Sequence, residues 1–453
     1  MSPRTLLRAL AALAALGAPA LAQQPDDAGT GFLECSNLLG GLSRARSRWE
    51  DRGLRFDASE TSEAFGNPTG GRRRAAVYEG LFRIAALLDT GKAFGLPGGT
   101  FNVTGFQVHG RGLSANALGG NLMVASSIEA NRGALLGELW YEQDMLGGKL
   151  TVRAGQLLAD TEFITSRYSS LFINSTFGFP TYTEVNLPGG GPAYPFGALS
   201  VRLAGEPAES WKLRAAVFNG NPSGPARADG RPSNPSGTAF RLGDGVFAIG
   251  EAQYLLNAGE GAAGLPGTYK LGAWYHTGRS GDSRRNAVGS LLNDPLGGLQ
   301  VLDRRDNWSV YAVADQLLWR KPGTKDQGLG AFTRIMGGPG DRNLLNFYVD
   351  AGVTYKGLLP GREDDTLGLA VAYARVSDQV VKVNGNPTLA GSPRLVRRGE
   401  AVLELTYQAQ VAPRWQVQPV AQHVFHPIGQ VPNRPGRGLP SALLLGVRTN
   451  VTF

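Results

Sequence analysis

The fold is decided by the C-terminal residues 443–453, LLLGVRTNVTF, which alternate strictly between apolar and polar positions. The apolar face carries Leu443, Leu445, Val447, Thr449, Val451 and Phe453. The other face carries Leu444, Gly446, Arg448, Asn450 and Thr452. An apolar face toward lipid and a polar face toward a lumen are typical of a membrane β-strand. One buried face in a soluble sandwich would give the same alternation, but the terminal aromatic residue favours the membrane interpretation.

The rest of the chain repeats this pattern. Gly is abundant, with 64 residues, and short alternating segments run from 54–61 to 441–453. They number about sixteen, an even count of the kind that bacterial outer-membrane barrels have. No stretch after the N-terminus approaches the roughly twenty apolar residues of a membrane helix. The sequence therefore predicts an all-β protein, a transmembrane antiparallel β-barrel of about sixteen strands.

The lengths of the links between segments support this prediction. Every second link is short, as at 146–148, 206–210 and 410–413. The intervening links are often long, namely 110–134, 158–197, 220–245, 278–306 and 378–398. Short periplasmic turns that alternate with long outer loops are typical of outer-membrane barrels. The segment 121–130 (NLMVASSIEA) could form a further strand, but the parity of the links places it inside the second outer loop.

The third outer loop, 158–197, has no sustained hydrophobic period and is rich in Phe, Tyr, Asn, Gly and Pro. A structureless segment of roughly forty residues in a compact domain is usually functional or disordered. Its aromatic content argues against a solvated linker. Because a sixteen-stranded barrel encloses an aqueous channel, we expect this loop to fold inward and narrow it.

The N-terminus predicts export. Residues 1–22 combine Arg4 and Arg8, a short apolar core and a small-x-small end at Ala22, as in a secretory signal peptide. Residues 23–53 are then a periplasmic lead-in, and 54–453 form the barrel. The formal charge of +8 falls to about +6 after cleavage. Cys35 is the single cysteine, so no intrachain disulfide is possible.

Several long runs resemble one known family. They are ELWYEQDMLGGKLTVRAGQLLADTEF (138–163), SLFINSTFGFP (170–180), GLLPGREDDTLGLAVAYARVS (357–377) and LGVRTNVTF (445–453). All resemble the carbohydrate-selective porin family of OprB type. The resemblance implies a sixteen-stranded outer-membrane porin that admits sugars such as glucose. The chain departs from the family at 38–43, where it has LLGGLS and members often carry Asp-Trp-Gly-Gly after Leu-Leu-Gly.

A neutral sugar needs charged or amide partners for its hydroxyls, and the binding must be weak enough to release it. Arginine suits this task because its planar fork offers several fixed donors. Alternation places four arginines and one carboxylate of the strands toward the lumen: Arg153, Arg202, Arg214, Arg448 and Glu404. The third loop adds five candidates: Asp160, Glu162, Arg167, Tyr168 and Asn174. Alternatively, the strand side chains only line a wide water-filled pore, and the loop side chains only pack against the inner wall.

The function predicted is passive, selective diffusion of sugars through a Gram-negative outer membrane. A general or anion-preferring porin is the first alternative, because the net charge and the inward arginines are positive. A barrel enzyme is the second, but no nucleophile with a paired His is apparent. No motif indicates a cofactor, a metal or nucleic acid. Expected partners are lipid, lipopolysaccharide at Arg72–Arg74, the barrel assembly machinery through Phe453, and further copies of the chain. Strand-end tryptophans 140, 274, 308, 319 and 415 are expected in the interfacial girdle.

Overall fold

The computed structural model describes residues 48–228, 231–259, 264–292, 300–384, 397–428 and 437–453. The predicted signal peptide, 1–22, lies outside the described residues, as does Cys35. Of the predicted lead-in, 23–53, only residues 48–53 are described. The processing of this end therefore stays a prediction.

The predicted barrel is confirmed: sixteen antiparallel strands form one closed sheet, in which the first strand pairs with the last. The strands are β1 Leu54–Thr69, β2 Ala76–Asp89, β3 Gly99–Gly110, β4 Gly133–Met145, β5 Leu150–Leu157, β6 Ala198–Ala208, β7 Trp211–Asn219, β8 Val246–Leu256, β9 Gly267–His276, β12 Asn307–Arg320, β13 Gly328–Gly337, β14 Leu345–Lys356, β15 Thr366–Val376, β16 Gly399–Ala412, β17 Trp415–Phe425 and β18 Ala442–Thr452. The remaining two strands, β10 Ser280–Asn286 and β11 Val301–Arg304, form a separate small sheet between β9 and β12.

The helices are short and lie between strands. They are α1 Thr90–Phe94, α2 Ser175–Gly178, α3 Thr181–Asn186 and α4 Asp378–Asn384. Single turns of 3₁₀ or π helix occupy Ser114–Leu118, Leu146–Gly148, Ser169–Leu171 and Pro188–Gly190. Among the helices of the described ranges, none has the length and apolar character needed to cross a membrane.

Alternation along the strands gives the barrel an apolar exterior with an aromatic ring at each end. Exposed aromatics near the short turns are Phe56, Phe101, Tyr141, Trp211, Tyr254, Tyr269 and Trp319. Those near the long loops are Tyr78, Tyr275, Trp308, Tyr373 and Phe425. The girdle positions of Trp308 and Trp319 are confirmed, whereas those of Trp140 and Trp274 are wrong. Both are buried, because alternation directs them inward and their outward neighbours are Tyr141 and Tyr275.

The loops also follow the predicted parity. The segment 121–130 contains no strand and belongs to loop 2 (111–132), as predicted. Loop 3 (158–197) lies inside the barrel, where its apolar side chains form the core with inward residues of the wall. Phe172 and Phe177 pack on each other and on Phe332 of β13, with ring centroids 5.0 to 6.3 Å apart. Loop 2 joins this core, since the Ser127 amide donates to the Ile173 carbonyl.

Candidate functional site

Loop 3 is held across the lumen by carboxylates that project inward from the wall. Glu404 of β16 accepts the backbone N–H groups of Ile173 and Asn174 at 2.6 and 2.8 Å. Glu251 of β8 accepts the Ile164 N–H at 2.9 Å, and Asp315 of β12 accepts the Arg167 N–H at 3.1 Å. Each carboxylate replaces a strand partner that the irregular loop backbone lacks, so the loop can be buried without unpaired amides.

Arg334 of β13 holds the carbonyl side of the same loop. Its guanidinium donates to the carbonyls of Ile164, Thr176, Phe177 and Gly178 at 2.8 to 3.2 Å. It also forms an ion pair with Asp350 of β14, and neither side chain is exposed. Five fixed donors in one plane suit this task. Arg334 therefore fixes the position of α2 against the wall.

Asn174 begins α2 and belongs to this anchored region. Its side-chain oxygen accepts the Thr176 N–H at 3.2 Å as a helix N-cap. Its amide nitrogen donates to Gln422 of β17 at 3.2 Å. Asn174 and Glu404 are both fully buried. These two predicted site residues hold the loop in place, and neither side chain is open to solute in the lumen.

A second region is a mixed cluster of charges, which we call the charge cluster: Glu142, Arg153, Glu162 and Arg202. Arg153 of β5 bridges Glu142 of β4 and Glu162 of loop 3 at 2.9 and 2.7 Å. Arg202 of β6, directly opposite Arg153, bonds the same two carboxylates. The structure therefore brings three predicted residues together with Glu142, which the sequence analysis missed.

The surroundings of the charge cluster fix its orientation. The Arg153 guanidinium lies 3.9 Å from the ring centre of buried Trp140, a cation–π contact. Arg214 of β7 donates to the Glu162 carbonyl at 2.8 Å. Glu142, Glu162, Arg202 and Arg214 line a cavity of about 170 Å³ with Lys149, Glu206 and Lys212. Fixed donors and acceptors thus alternate around one aqueous space.

Two further predicted residues lie elsewhere in the lumen. Arg167 is exposed, and Tyr168 packs against Gly330 of β13. Both line a separate cavity of about 410 Å³, whose wall includes Lys325, Asp326, Thr354, Lys356, Gln408 and Gln416. These neighbours lie near the short turns, so this cavity is toward the periplasmic end. It is lined by polar groups and open to water.

Arg448 and Asp160 complete the predicted set. Arg448 of β18 pairs with Glu63 of β1 and donates to the Ser127 hydroxyl at 2.9 Å, so it joins the wall to loop 2. Asp160 lies in loop 3, where its carboxylate accepts the Tyr194 N–H at 2.9 Å. Burial raises the pKa of the Asp160 carboxyl to about 7. Burial likewise raises the pKa of Glu184 to about 7, and the charge of Asp160 raises it further.

Glu142 and Arg334 were not predicted as site residues, although strand alternation indicates that both side chains point inward. Glu142 is two positions from Trp140 on β4, and both point inward. Arg334 lies at an inward position of β13 opposite Asp350. Alternation does not show which inward residues loop 3 covers, because the path of the loop across the lumen depends on contacts far apart in sequence. In the described part of the chain, no cluster of three or more His, Cys, Asp or Glu could hold a metal ion.

Comparison with known proteins agrees with the barrel and its loops. The family model described as "Carbohydrate-selective porin, OprB family" matches residues 73–453. This chain belongs to that family. Porin B of Pseudomonas aeruginosa is 25% identical over an alignment 474 residues long, which covers 99% of this chain and 98% of that protein. The putative porin QuiX of Acinetobacter baylyi is 21% identical over 434 residues, covering 86% and 89%.

Solved structures support the same architecture. The high-pH structure of Pseudomonas putida OprB has a TM-score of 0.79 at 23% identity and covers 94% of this chain and all of that one. The low-pH structure of the same protein has a TM-score of 0.56 at 18% identity, with 93% and 99% coverage. At these identities the structures show the fold. Family and fold together make the chain an outer-membrane channel of the porin class.

Proposed function

We propose that this porin admits neutral sugars along the wall formed by β4 to β7, where a sugar exchanges water for the charge cluster. The observation that carries the proposal is the pairing of Arg153 and Arg202 with Glu142 and Glu162 at 2.9 Å or less. Charged groups make stronger hydrogen bonds to hydroxyls than neutral groups do. A belt of fixed donors and acceptors can therefore replace the water around a sugar as it passes.

The balance of charge in the cluster favours a neutral solute over an ion. Two arginines face two carboxylates, so their fields largely cancel at a distance while each group keeps hydrogen-bonding capacity. An anion channel would instead leave a surplus of one sign across the narrow region. Glu142, Arg153 and Glu162 keep 15 to 19% of their side chains exposed, which is enough for contact with a solute. Trp140 is covered by Arg153 and serves to position it.

Proteoliposome swelling tests the proposal directly. Purified porin would be reconstituted and challenged with a series of monosaccharides, disaccharides and size-matched non-sugar solutes. We expect monosaccharides to enter faster than non-sugar polyols or zwitterions of equal size. Equal rates at equal size would refute selectivity. Arg375→Ala is the matched control for arginine variants of the charge cluster, because Arg375 forms an exposed pair with Asp378 at the outer end of β15.

A general or anion-preferring porin is the second candidate, and inward cations outside the cluster favour it. Arg83 of β2, Arg214 and Lys270 of β9 all lie on the lumen side. Zero-current potential in a salt gradient separates the candidates. A sugar porin should show weak anion preference and a current that glucose reduces. A general porin should show a current that glucose leaves unchanged apart from its effect on viscosity.

Further proposals concern export, assembly into the membrane, contact with lipopolysaccharide and the absence of catalysis. We infer that residues 1–22 direct export through the general secretory pathway and that the terminal Phe453 is recognised by the barrel assembly machinery. Arg72–Arg74 suit contact with anionic lipopolysaccharide, and the Arg73 Nε group is fixed by a 2.8 Å bond to the Asn116 carbonyl. Channel function without catalysis agrees with the family match. A hydrolase assay on the purified barrel would test the absence of catalysis.

A further inference from the structure

The arginines at the outer rim of the barrel differ in how their charges are balanced. Above β7 to β15, several form ion pairs with aspartates: Arg241 with Asp244, Arg279 with Asp303, Arg304 with Asp282, Arg342 with Asp341, and Arg375 with Asp378. From β16 through β18 and β1 to β3, another set forms no ion pair within the described residues. We call this set the basic rim: Arg72, Arg73, Arg74, Arg111, Arg397 and Arg437.

Acidic side chains are nearly absent around the basic rim. In loops 1 and 2 and the described part of the last outer loop, Glu129 is the one acidic residue. Its carboxylate accepts the N–H groups of Ser114 and Ala115 at 3.0 and 2.9 Å, so it is occupied within loop 2. Glu79 and Glu400, at the adjoining strand ends, are buried. An anion that approaches this part of the rim therefore meets arginines without a free carboxylate to repel it.

Hydrogen bonds join the loops that carry the basic rim. The Gly71 N–H of loop 1 (70–75) donates to the Pro440 carbonyl at 3.4 Å, which links loop 1 to the last outer loop. The Arg73 N–H donates to the Ala117 carbonyl of loop 2 at 3.1 Å. The arginines are thus mounted on one connected surface, so less conformational entropy is lost when a ligand binds there.

The first pocket of the basic rim opens toward the outer leaflet beside β2. It has a volume of about 340 Å³ and is lined by Arg73, Arg111, Asn116 and residues 75–78. The Arg73 Nε group donates to the Asn116 carbonyl at 2.8 Å, and the Arg111 N–H donates to the Tyr78 carbonyl at 2.8 Å. These bonds leave the terminal guanidinium groups of both arginines for a ligand. Tyr78 belongs to the outer aromatic ring, so the pocket lies at the depth of the lipid head groups.

The second pocket lies beside the outer end of β17. It has a volume of about 430 Å³, and its lining includes Arg397, His426, Arg437 and Ser441. The Arg397 guanidinium donates to the Leu439 carbonyl at 2.7 Å. Partial burial lowers the pKa of Arg397, and the charge of Glu400 only partly offsets this, so an anion in the pocket would be stabilised. His426 directly follows Phe425 of the outer aromatic ring, and β18 and β1 separate the two pockets along the rim.

Phosphate is the anion that this arrangement fits. A guanidinium is planar, stays charged and binds two phosphate oxygens at once. Each pocket brings two arginines to one space, and both pockets lie beside the outer aromatic ring, at the level of the head groups of the outer leaflet. On a surface rich in carboxylates, a divalent cation must stand between the protein and a phosphate. The basic rim provides the positive charge itself and needs no such cation.

We infer that the basic rim binds the phosphate groups of lipid A, the membrane anchor of lipopolysaccharide, directly and without a divalent cation. One phosphate binds between Arg73 and Arg111, and another binds between Arg397 and Arg437. The inference rests on the proposed contact of Arg72–Arg74 with lipopolysaccharide. It adds the two pockets, the sector of the rim and the independence from divalent cations. The arginines that are paired with aspartates should contribute little, because their charges are already compensated.

Native mass spectrometry of the mature porin tests the inference. The porin would be freed of lipid in detergent and titrated with lipid A, once with Mg²⁺ present and once in EDTA. Wild type should bind with similar affinity in both. Arg73→Gln with Arg111→Gln should weaken binding by about tenfold, because each change removes a charged hydrogen-bond donor from the first pocket. Arg397→Gln with Arg437→Gln should have a similar effect at the second pocket.

The matched control is Arg279→Gln with Arg375→Gln, which removes the same amount of positive charge from exposed ion pairs. It should bind lipid A as wild type does. Heat-modifiable gel mobility would show that each variant has a folded barrel. Sugar-dependent swelling should be the same in all of them, because these side chains lie outside the charge cluster. Equal weakening in the control and in the pocket variants would assign binding to net charge and overturn the pockets.

Other results would also overturn the inference. Binding that disappears in EDTA would show that a cation bridges the protein and the lipid. Inorganic phosphate that displaces lipid A at equal concentration would make the pockets sites for free anions. Loss of binding in Arg72→Gln with Arg74→Gln, but in neither pocket variant, would remove the pockets and leave the proposed contact at Arg72–Arg74 in place. A wild type that binds no lipid A would remove both.

Discussion

The two sides of the lumen wall carry the same types of side chain but use them differently. On the anchored wall, β8 and β12 to β16, the inward Arg334, Asp350 and Glu404 are fully buried. Arg334 and Glu404 bond to the backbone of loop 3. On the free wall, β4 to β7, Arg153 and Glu142 bond to side chains and keep 17 and 19% exposure. Burial under loop 3 therefore decides whether an inward charged side chain bonds to the loop backbone or stays partly open to the lumen.

This difference has an energetic basis. A buried arginine that satisfies four carbonyls and one carboxylate has no donor left for a passing sugar, and removing it leaves those groups unpaired. A partly exposed ion pair can exchange one partner for a hydroxyl, because water already competes for it. The anchored wall should thus determine the size of the opening, and the free wall should determine which solutes are retained on the way through.

The largest expected effect is from Arg334→Ala on the anchored wall. Breaking a buried ion pair by removing one partner costs about 3–5 kcal/mol, and four loop carbonyls lose their donor as well. We expect loop 3 to leave the wall, single-channel conductance to rise several-fold, and discrimination by solute size to fall. Planar-bilayer recordings measure both changes.

Arg375→Ala provides the comparison for this experiment. It removes the same side chain from an exposed pair with Asp378, which should contribute no more than about 1 kcal/mol. Its conductance should match wild type. A conductance of Arg334→Ala equal to that of Arg375→Ala would mean that loop 3 keeps its position without the buried arginine, and the contrast between the walls would be lost.

The next effect concerns Arg153 on the free wall. Arg153→Ala should leave single-channel conductance near the wild-type value, since the anchors of loop 3 on β8, β12, β13 and β16 are untouched. It should weaken the block of ion current by sugar by about tenfold, which corresponds to one charged hydrogen bond of about 1.4 kcal/mol. Arg153→Lys should restore only part of the block, because a single ammonium cannot bridge Glu142 and Glu162 together. Unchanged sugar block in both variants would remove Arg153 from the solute path.

The fold could be predicted from the sequence because alternation is a local property. β7 runs from Trp211 to Asn219, directly between the predicted links 206–210 and 220–245, and β18 alternates as its sequence indicates. β1 is the main error in length, since it continues to Thr69 where the sequence analysis ended it at position 61. The segment from 62 to 69 contains Gly66 and Pro68, which are poor strand formers, and the pairing with β18 and β2 overrides that preference.

The candidate site could be predicted only in part. Alternation correctly directed Arg153, Arg202 and Glu404 inward, but it could not show that Glu404 would be covered by Ile173 and Asn174, more than two hundred residues away in the chain. The position of a residue along a strand determines whether its side chain points into the lumen or toward the outside of the barrel. Exposure depends on where a long irregular loop crosses the barrel, and no local pattern encodes that path.

A smaller, pH-dependent effect should arise within loop 3. Asp160 and Glu184 both have pKa values raised to about 7, above the ordinary carboxyl value of about 4. Their protonated forms therefore stabilise the folded loop fully below about pH 4, and this contribution is lost as pH rises through about 7. The charge of Glu138 also raises the pKa of Asp160, whereas the backbone N–H groups of Tyr194, Asp160 and Thr161 lower it. We expect current fluctuations to become a few-fold more frequent between pH 5 and pH 8.

Asp160→Asn tests whether this carboxyl causes the change. Asparagine keeps an oxygen that can accept the Tyr194 N–H and has no charge to gain, so the pH dependence should shrink while conductance at pH 5 stays the same. Arg167→Gln, which does not alter either carboxyl, should keep the wild-type pH dependence. A pH response that is identical in Asp160→Asn and wild type would assign it to another group.

The smallest effect should come from Arg167, which borders the periplasmic cavity beyond both regions. It is exposed, its guanidinium lies 5.7 Å from the Tyr168 ring centre, and Lys325 and Lys356 line the same space. Arg167→Gln should lower anion preference slightly in 0.1 M salt and leave sugar block unchanged. At 1 M salt the difference should disappear, because the screening length falls to about 3 Å. A loss of sugar block in this variant would extend the solute-binding region from the charge cluster into the periplasmic cavity, and the free wall would then no longer determine selectivity alone.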